Sequence, residues 1–200
     1  MSSTGAAAEV VLVRHAETEW SVDGRHTGLT DIPLSDAGRA TARALAGELQ
    51  AWRFERVLVS PLRRARETCE LCGLGDRAEV CDELHEWDYG DYEGLTTAQI
   101  RQRRADWNLW RDGCPGGENP DQVGARADLA IAALGASTGP VAAFSHGHML
   151  RVLGARWIEL EPAQGARLGL SAGAVSVLGY EREERILALW NDAGRAHVLE

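Results

Sequence analysis

Val10-Val11-Leu12-Val13-Arg14-His15-Ala16-Glu17-Thr18-Glu19-Trp20 is the stretch from which the fold of this chain can be read. Four consecutive β-branched or aliphatic residues have the length and composition of a short, fully buried strand, and the apolar run stops at Arg14-His15. These two polar side chains therefore sit at the strand's carboxyl end, where open parallel α/β sheets bind their ligands. The arginine supplies a permanent cation for an anionic group such as phosphate. The histidine beside it supplies an imidazole that can be neutral and nucleophilic near pH 7. An Arg-His pair ending a strand also arises by chance, so its meaning depends on what the rest of the chain brings.

Two further apolar runs repeat the pattern. Val57-Leu58-Val59-Ser60 is read as a second buried strand, closed by Pro61 and followed by a short helix that opens with Arg63, Arg64 and Arg66. Three cations at a helix start oppose the helix dipole, which points to a second anion clamp rather than to helix stability. Pro140-Val141-Ala142-Ala143-Phe144 is the third strand, ending in Ser145-His146-Gly147-His148 directly before a helix with Leu150, Leu153 and Trp157 on one face. His146 thus falls where a strand end meets a helix N-terminus, a place that favours anions. A lone histidine there is more simply a core residue, but two strand ends that each deliver one make a shared site the stronger reading.

The remaining segments fit around these strands. Ser35 is the N-cap of a helix with Thr41, Leu45, Leu49 and Trp52 at helical spacing, running to about Arg53. A helix is expected from about Thr97 to Trp110, with Ile100, Trp107 and Trp110 as core or lid packing, and another is marked by Val123, Ala127, Ile131 and Leu134. Asp23 to Leu34 is a loop draped over the first strand end, bringing Ser21, Arg25, His26 and Thr27 near Arg14-His15. Ala78 to Cys81 leads into Glu83-Leu84-His85-Glu86-Trp87-Asp88-Tyr89-Gly90-Asp91-Tyr92-Glu93-Gly94, where a carboxyl flanked by Trp87 and Tyr89 would have its pKa raised by desolvation and act as a general acid. Gly113 to Pro120 reverses the chain. Ala174 to Tyr180 and Arg185 to Trp190 read as a hairpin that adds one antiparallel strand. The expected fold class is α/β, a three-layer α/β/α sandwich with a mostly parallel central sheet and one antiparallel strand. It forms a single domain over residues 1–200, with about residues 1–8 flexible.

Composition sets limits. Two hundred residues with 44% apolar content suit one domain with a substantial core, and the net charge of −9 argues against nucleic acid and an anionic membrane as partners. A small anionic substrate then needs a locally basic pocket. The first nine residues lack the features of a signal peptide and no apolar run reaches membrane-spanning length, so a cytoplasmic protein is expected. Cys69, Cys72, Cys81 and Cys114 are expected to be free thiols, because no second Cys pair or histidine stands at ligand spacing.

Assembled in order, the motifs resemble those of the histidine phosphatase superfamily, the phosphoglycerate mutase-like group. Arg14-His15-Ala16-Glu17-Thr18-Glu19-Trp20 is similar to its Arg-His-Gly signature and Ser60-Pro61-Leu62-Arg63-Arg64-Ala65 to its second arginine segment. Glu86-Trp87-Asp88-Tyr89-Gly90 is similar to its acid loop and Phe144-Ser145-His146-Gly147-His148 to its second histidine. The resemblance runs from about residue 10 to 160. It implies that His15 becomes phosphohistidine, Arg14 and Arg64 clamp the phosphoryl oxygens, Glu86 donates a proton and His146 hydrogen-bonds the transferring group. It places Ser21, Thr27, Gly28, Tyr89 and Gly147 along the substrate pocket and implies a reaction without metal or cofactor. Ala16 departs from the usual glycine and Ser21 from the usual asparagine, which leaves the pocket's fine shape open.

The resemblance is strongest to broad-specificity acid phosphatases and sugar-bisphosphate phosphatases, so the implied partner is a small phosphorylated metabolite. Mildly acidic pH would favour activity if Glu86 starts protonated. Cofactor-dependent phosphoglycerate mutases resemble the chain too, but they carry a longer, Lys/Arg-bearing insertion after the acid loop. Here Gly94 to Gly113 is compact, and its Arg101, Arg103, Arg104 and Arg111 are interrupted by Asp106 and two tryptophans. A non-catalytic phospho-ligand-binding module would need a broken catalytic set, whereas this set is whole. The subunit count stays open, a homodimer included.

Overall fold

The computed structural model describes residues 9–194, so the expected flexible start, residues 1–8, lies outside the described residues. In chain order the elements are β1 (Val10–Arg14), α1 (Glu19–Val22), α2 (Asp36–Leu49), β2 (Arg56–Val59), α3 (Arg63–Leu71), β3 (Ala78–Val80), α4 (Thr97–Arg103), α5 (Leu109–Asp112), α6 (Pro120–Leu134), β4 (Val141–Ser145), α7 (Gly147–Trp157), β5 (Val175–Glu181) and β6 (Glu184–Asp192). The strands form one six-stranded sheet in the order β3-β2-β4-β1-β5-β6. β1, β2, β3 and β4 pair in parallel, while β5 runs antiparallel to both β1 and β6. Only β5 therefore opposes the common direction, as the hairpin pattern implied.

Alternation along the central strands divides the core between the two faces of the sheet. Val10, Leu12, Leu58, Val141 and Ala143 pack with residues of α6 and α7 such as Val123, Ala127, Leu150 and Leu153. Val11, Val13, Val57, Val59, Ala142 and Phe144 face the other way, onto Leu45 and Leu49 of α2 and Ala65 and Cys69 of α3. Helices on both faces give the three layers. No helix among the described residues is long and apolar enough to cross a membrane.

The expected Thr97–Trp110 helix is two helices. α4 stops at Arg103, and α5 starts anew behind the N-cap Asn108, whose side chain accepts from Trp110 N. The Asp112 carboxylate takes the Asn108 N–H and the Arg101 guanidinium takes the Trp107 carbonyl, so local side chains satisfy the backbone that a continuous helix would have used. α6 begins three residues before Val123, because Asn119 and Gln122 form a reciprocal cap with Pro120 at the first helical position.

Register is what builds the site. Arg14 pairs with Ser145 across β1 and β4, and Val59 with Phe144 across β2 and β4. The ladder runs one step further in each case: His15 N donates to the Ser145 carbonyl at 2.9 Å and Ser60 N to the Phe144 carbonyl at 2.9 Å. Three carboxyl ends thus finish level, with His15, His146 and Ser60 side by side.

Candidate active site

His15 and His146, far apart in sequence, have ring centroids 5.1 Å apart and planes tilted by 58°. His15 is buried, and its Nδ1 lies 2.7 Å from the carbonyl oxygen of Ala16. A carbonyl only accepts, so Nδ1 carries the proton and Nε2 holds the free lone pair. Burial, followed by the charges of Arg64 and Arg14, pushes the His15 pKa well below the usual histidine value. The ring is neutral, and the backbone beside it sets which nitrogen keeps a free lone pair.

His146, wholly buried, is tied at both nitrogens. Arg64 Nε donates to Nδ1 at 3.1 Å, which leaves Nε2 as the donor to Ser60 Oγ at 2.7 Å. Burial and then Arg64 hold its pKa well below normal as well. The arginine trio of α3 separates: Arg63 and Arg66 are exposed, while Arg64 is fully buried. Besides His146, the Arg64 fork donates to the carbonyls of Thr27, Gly28 and Thr30, fastening that loop beside the histidine pair.

Glu86 is 4% exposed and sits in a cradle of backbone donors. Its Oε1 accepts from Trp87 N at 2.9 Å and Met149 N at 2.8 Å, and its Oε2 from His148 N at 3.1 Å. His148 and Met149 belong to the first turn of α7, so the helix N-terminus expected to favour an anion receives this carboxylate. The loop that carries Glu86 is held by Arg126, which donates to the carbonyls of Glu83, His85 and Glu86 and pairs with Glu118 at 2.7 Å. Glu118 in turn accepts the Asp88 N–H and, through its carbonyl, the Trp87 indole.

His15 and Glu86 line a cavity of about 190 Å³ together with Arg14, Ser21, Thr27, Tyr89 and Gly147, whereas Arg64, His146 and Gly28 stand behind that lining. Arg14 Nη1 donates to the Leu170 carbonyl, while its Nε is buried with no partner, a donor set aside for an anion. A Cβ on Gly147 would lie 3.2 Å from that guanidinium, so a glycine here lets the helix start close on Arg14. Gly28 is equally constrained by the Trp87 carbonyl, 2.7 Å from where its Cβ would be. Arg14, Arg25 and Arg151 against the single carboxylate of Glu86 make the lining basic in a chain of net charge −9.

Two expectations need correcting. His146 was expected to hydrogen-bond the transferring group, but Arg64 and Ser60 engage both of its ring nitrogens. Ser21 lines the cavity, but its hydroxyl donates to the Thr18 carbonyl at 2.8 Å and accepts from Thr18 N at 2.9 Å, closing the cap of α1. It is a helix-capping group with both roles used, rather than a phosphate ligand. Ala16 raises no difficulty: its methyl packs with Leu34 and Ala42 in a small buried cluster. The lining also includes His148 and Arg151, which the motif reading passed over. Arg151 stands four residues after Gly147, the spacing that puts two helical residues on one face, and that signal was present in the sequence.

A mostly parallel α/β sheet whose strand ends bring together two neutral histidines, an unpartnered arginine Nε and a buried carboxylate suits a phosphoryl-transfer enzyme. The chain belongs to the histidine phosphatase superfamily (branch 1), whose profile matches residues 10–193. It is 44% identical over 195 residues to an acid phosphatase of Mycobacterium tuberculosis, covering 95% of each chain. With sedoheptulose 1,7-bisphosphatase of Saccharomyces cerevisiae it shares 37% over 183 residues, 75% of this chain and 67% of the yeast protein. A solved Mycobacterium tuberculosis structure superposes with a TM-score of 0.88 at 41% identity, covering 94% of this chain and 99% of the other. The chain is a phosphomonoesterase of that superfamily.

Proposed function

We propose that the chain hydrolyses small phosphomonoesters, sugar phosphates or similar metabolites, through a phosphohistidine formed on His15 Nε2. The observation that carries this reading is the tautomer of His15: Nδ1–H is held by the Ala16 carbonyl, beside an Arg14 Nε with no protein partner. A phosphate monoester is dianionic, so its attacker must be neutral, and the charge on its equatorial oxygens needs fixed donors.

Nε2 attacks phosphorus while the ester P–O bond breaks. Arg14 and the remaining Nη1–H of Arg64 stabilise the phosphoryl oxygens, and His146 braces Arg64. Glu86 gives its proton to the departing alkoxide from Oε2, the oxygen with one backbone donor rather than two. The oxygen of a water then bonds to phosphorus as the P–N bond breaks, its proton goes to Glu86, and phosphate and neutral His15 are released. The arginines after the acid loop favour hydrolysis over mutase chemistry, because Arg104 and Arg111 are exposed and paired with Asp106 and Asp112. The four unbonded cysteines suit a reducing compartment and support a cytoplasmic setting.

The test is phosphate release from a panel of phosphomonoesters, with alkaline denaturing quench of the wild type and of His15→Ala on labelled substrate. The wild type should trap an acid-labile, base-stable phosphoenzyme that His15→Ala lacks. Substantial turnover by His15→Ala removes His15 from the chemistry.

A further inference from the structure

Glu93 is the last carboxylate of the acid loop, and the phosphoryl-transfer steps leave it unused. Its half-buried side chain reaches the turn at residues 27–30. Oε1 accepts from Gly28 N at 2.9 Å and Thr30 N at 3.2 Å, and Oε2 from Gly28 N at 3.0 Å. A Cβ on Gly28 would lie 2.6 Å from Glu93 Oε2, so the glycine lets the carboxylate close on the turn.

The other side of the same turn faces Arg64. Nη1 donates to the Thr30 carbonyl at 3.1 Å, and Nη2 to the carbonyls of Thr27 at 3.0 Å and Gly28 at 2.8 Å. Three carbonyls therefore point at a cation while two N–H groups point at a carboxylate. The peptide dipoles run in series between opposite charges, and each hydrogen bond is of the stronger, charge-assisted kind. Asp31, the next residue, takes the Arg63 N–H at 2.6 Å and so ties the turn to the first residue of α3. One turn thus locates Arg64 at its backbone and at its fork, whose Nε carries on to His146 Nδ1 at 3.1 Å.

Stapling the two loops together does not need this carboxylate. The backbone already joins them: Gly94 N donates to the His26 carbonyl at 2.8 Å, His26 N to the Leu95 carbonyl at 2.9 Å, and Arg25 bridges to Thr96. Those bonds leave the peptide planes from Thr27 to Thr30 free to turn, and a carboxylate on their N–H side fixes them. We infer that Glu93 is a positioning residue for phosphoryl transfer, which sets the 27–30 turn so that its carbonyls aim the Arg64 fork and hold it against His146. This rests on the reading of Arg64 as a clamp on the phosphoryl oxygens.

The experiment is a double-mutant cycle of Glu93→Gln with Arg64→Lys, read as kcat/KM on glycerol 1-phosphate and nitrophenyl phosphate, with Tm alongside. Glu93→Gln keeps the shape of the side chain but loses its charge and one acceptor. Glu93→Asp goes through the same cycle, so that a folding failure of one variant leaves the other. Each alone should lower kcat/KM roughly 10- to 100-fold, the cost of slightly misplacing a catalytic group, and equally on both esters, which present the same phosphoryl group. Beside Arg64→Lys the loss should shrink to about twofold or less, since no fork remains to be aimed. A loss confined to glycerol 1-phosphate would mean that Glu93 acts on Glu86 through the acid loop, and a lower Tm with unchanged kinetics would make it a staple. Either result overturns the proposal, as does a full loss that persists beside Arg64→Lys. Arg64→Lys with wild-type kinetics overturns the clamp reading itself, and the role of Glu93 falls with it.

Discussion

Glu86 and Met149 are joined by a 2.8 Å hydrogen bond from the first turn of α7 to the carboxylate, so the helix that follows His146 also seats the acid. One helix start therefore fixes the spacing between His146 and the Glu86 carboxyl. That coupling gives Glu86 a signature separable from general damage. Glu86→Gln should lower kcat/KM for alkyl phosphates by roughly 10²- to 10⁴-fold, the usual worth of general acid catalysis. Nitrophenyl phosphate, whose leaving group needs little protonation, should lose far less. Because kcat/KM reports the first chemical step, the comparison is free of phosphoenzyme hydrolysis, and equal losses on both esters would refute the assignment.

Ala16 offers a test of pocket shape. Its φ is not positive and its methyl is buried with Leu34 and Ala42, so a glycine is not required there. Ala16→Gly should cost about 1 kcal/mol through the lost methyl and the added chain freedom. Catalysis should change less than twofold. A large change in kcat/KM with an unmoved Tm would mean that the methyl shapes the pocket after all.

The parts of this site that lie at strand ends were legible in the sequence, because a break from four apolar residues to Arg14-His15, or from Phe144 to Ser145-His146, marks where a buried strand meets its ligand. What the sequence did not disclose is where a polar group spends its donors. Ser21 has a polar side chain at the expected position, yet a four-residue helix takes its hydroxyl. Arg64 was expected to clamp phosphoryl oxygens, and most of its fork is engaged by the 27–30 loop and His146 instead. The helix break after Arg103 depended on side chains that compete locally for the backbone, which a hydrophobic period does not register. Arg126 and Glu118 carry no motif, and their contribution appears only once the acid loop is folded over them.

Stability should depend on pH through four imidazoles. His15, His146 and His148 have pKa values pushed well below 6.5 by burial first, and His26 is lowered by burial to about 4. Below 6.5 the unfolded chain takes up protons that the folded chain refuses, so folding weakens as pH falls from 6.5 toward 4, by up to ~1.4 kcal/mol per group per pH unit. Above 6.5 both states leave these rings neutral and they add no slope. We expect Tm to be level from pH 8 to 7 and to fall steeply between 6.5 and 5. A Tm that holds steady down to pH 5 would show that these rings are not buried and neutral together.

Arg126 is a positioning residue whose effect passes through Glu86. Its fork spans the carbonyls of Glu83, His85 and Glu86 and is completed by Glu118, which holds the loop from the other side at Asp88 N. Arg126→Met removes the fork and strands the Glu118 carboxylate, so some loss of Tm is expected whatever the role. The discriminating measurement is the ratio of kcat/KM on an alkyl phosphate to that on nitrophenyl phosphate. If the fork sets the acid, that ratio should drop roughly 10- to 100-fold, in line with what a small displacement of a catalytic group costs. Arg126→Lys, with one charge but no fork, should recover only part of it. A variant that is less stable but keeps the wild-type ratio would mean that Arg126 merely holds the loop to the domain, with the aim of Glu86 set by the backbone of α7 alone.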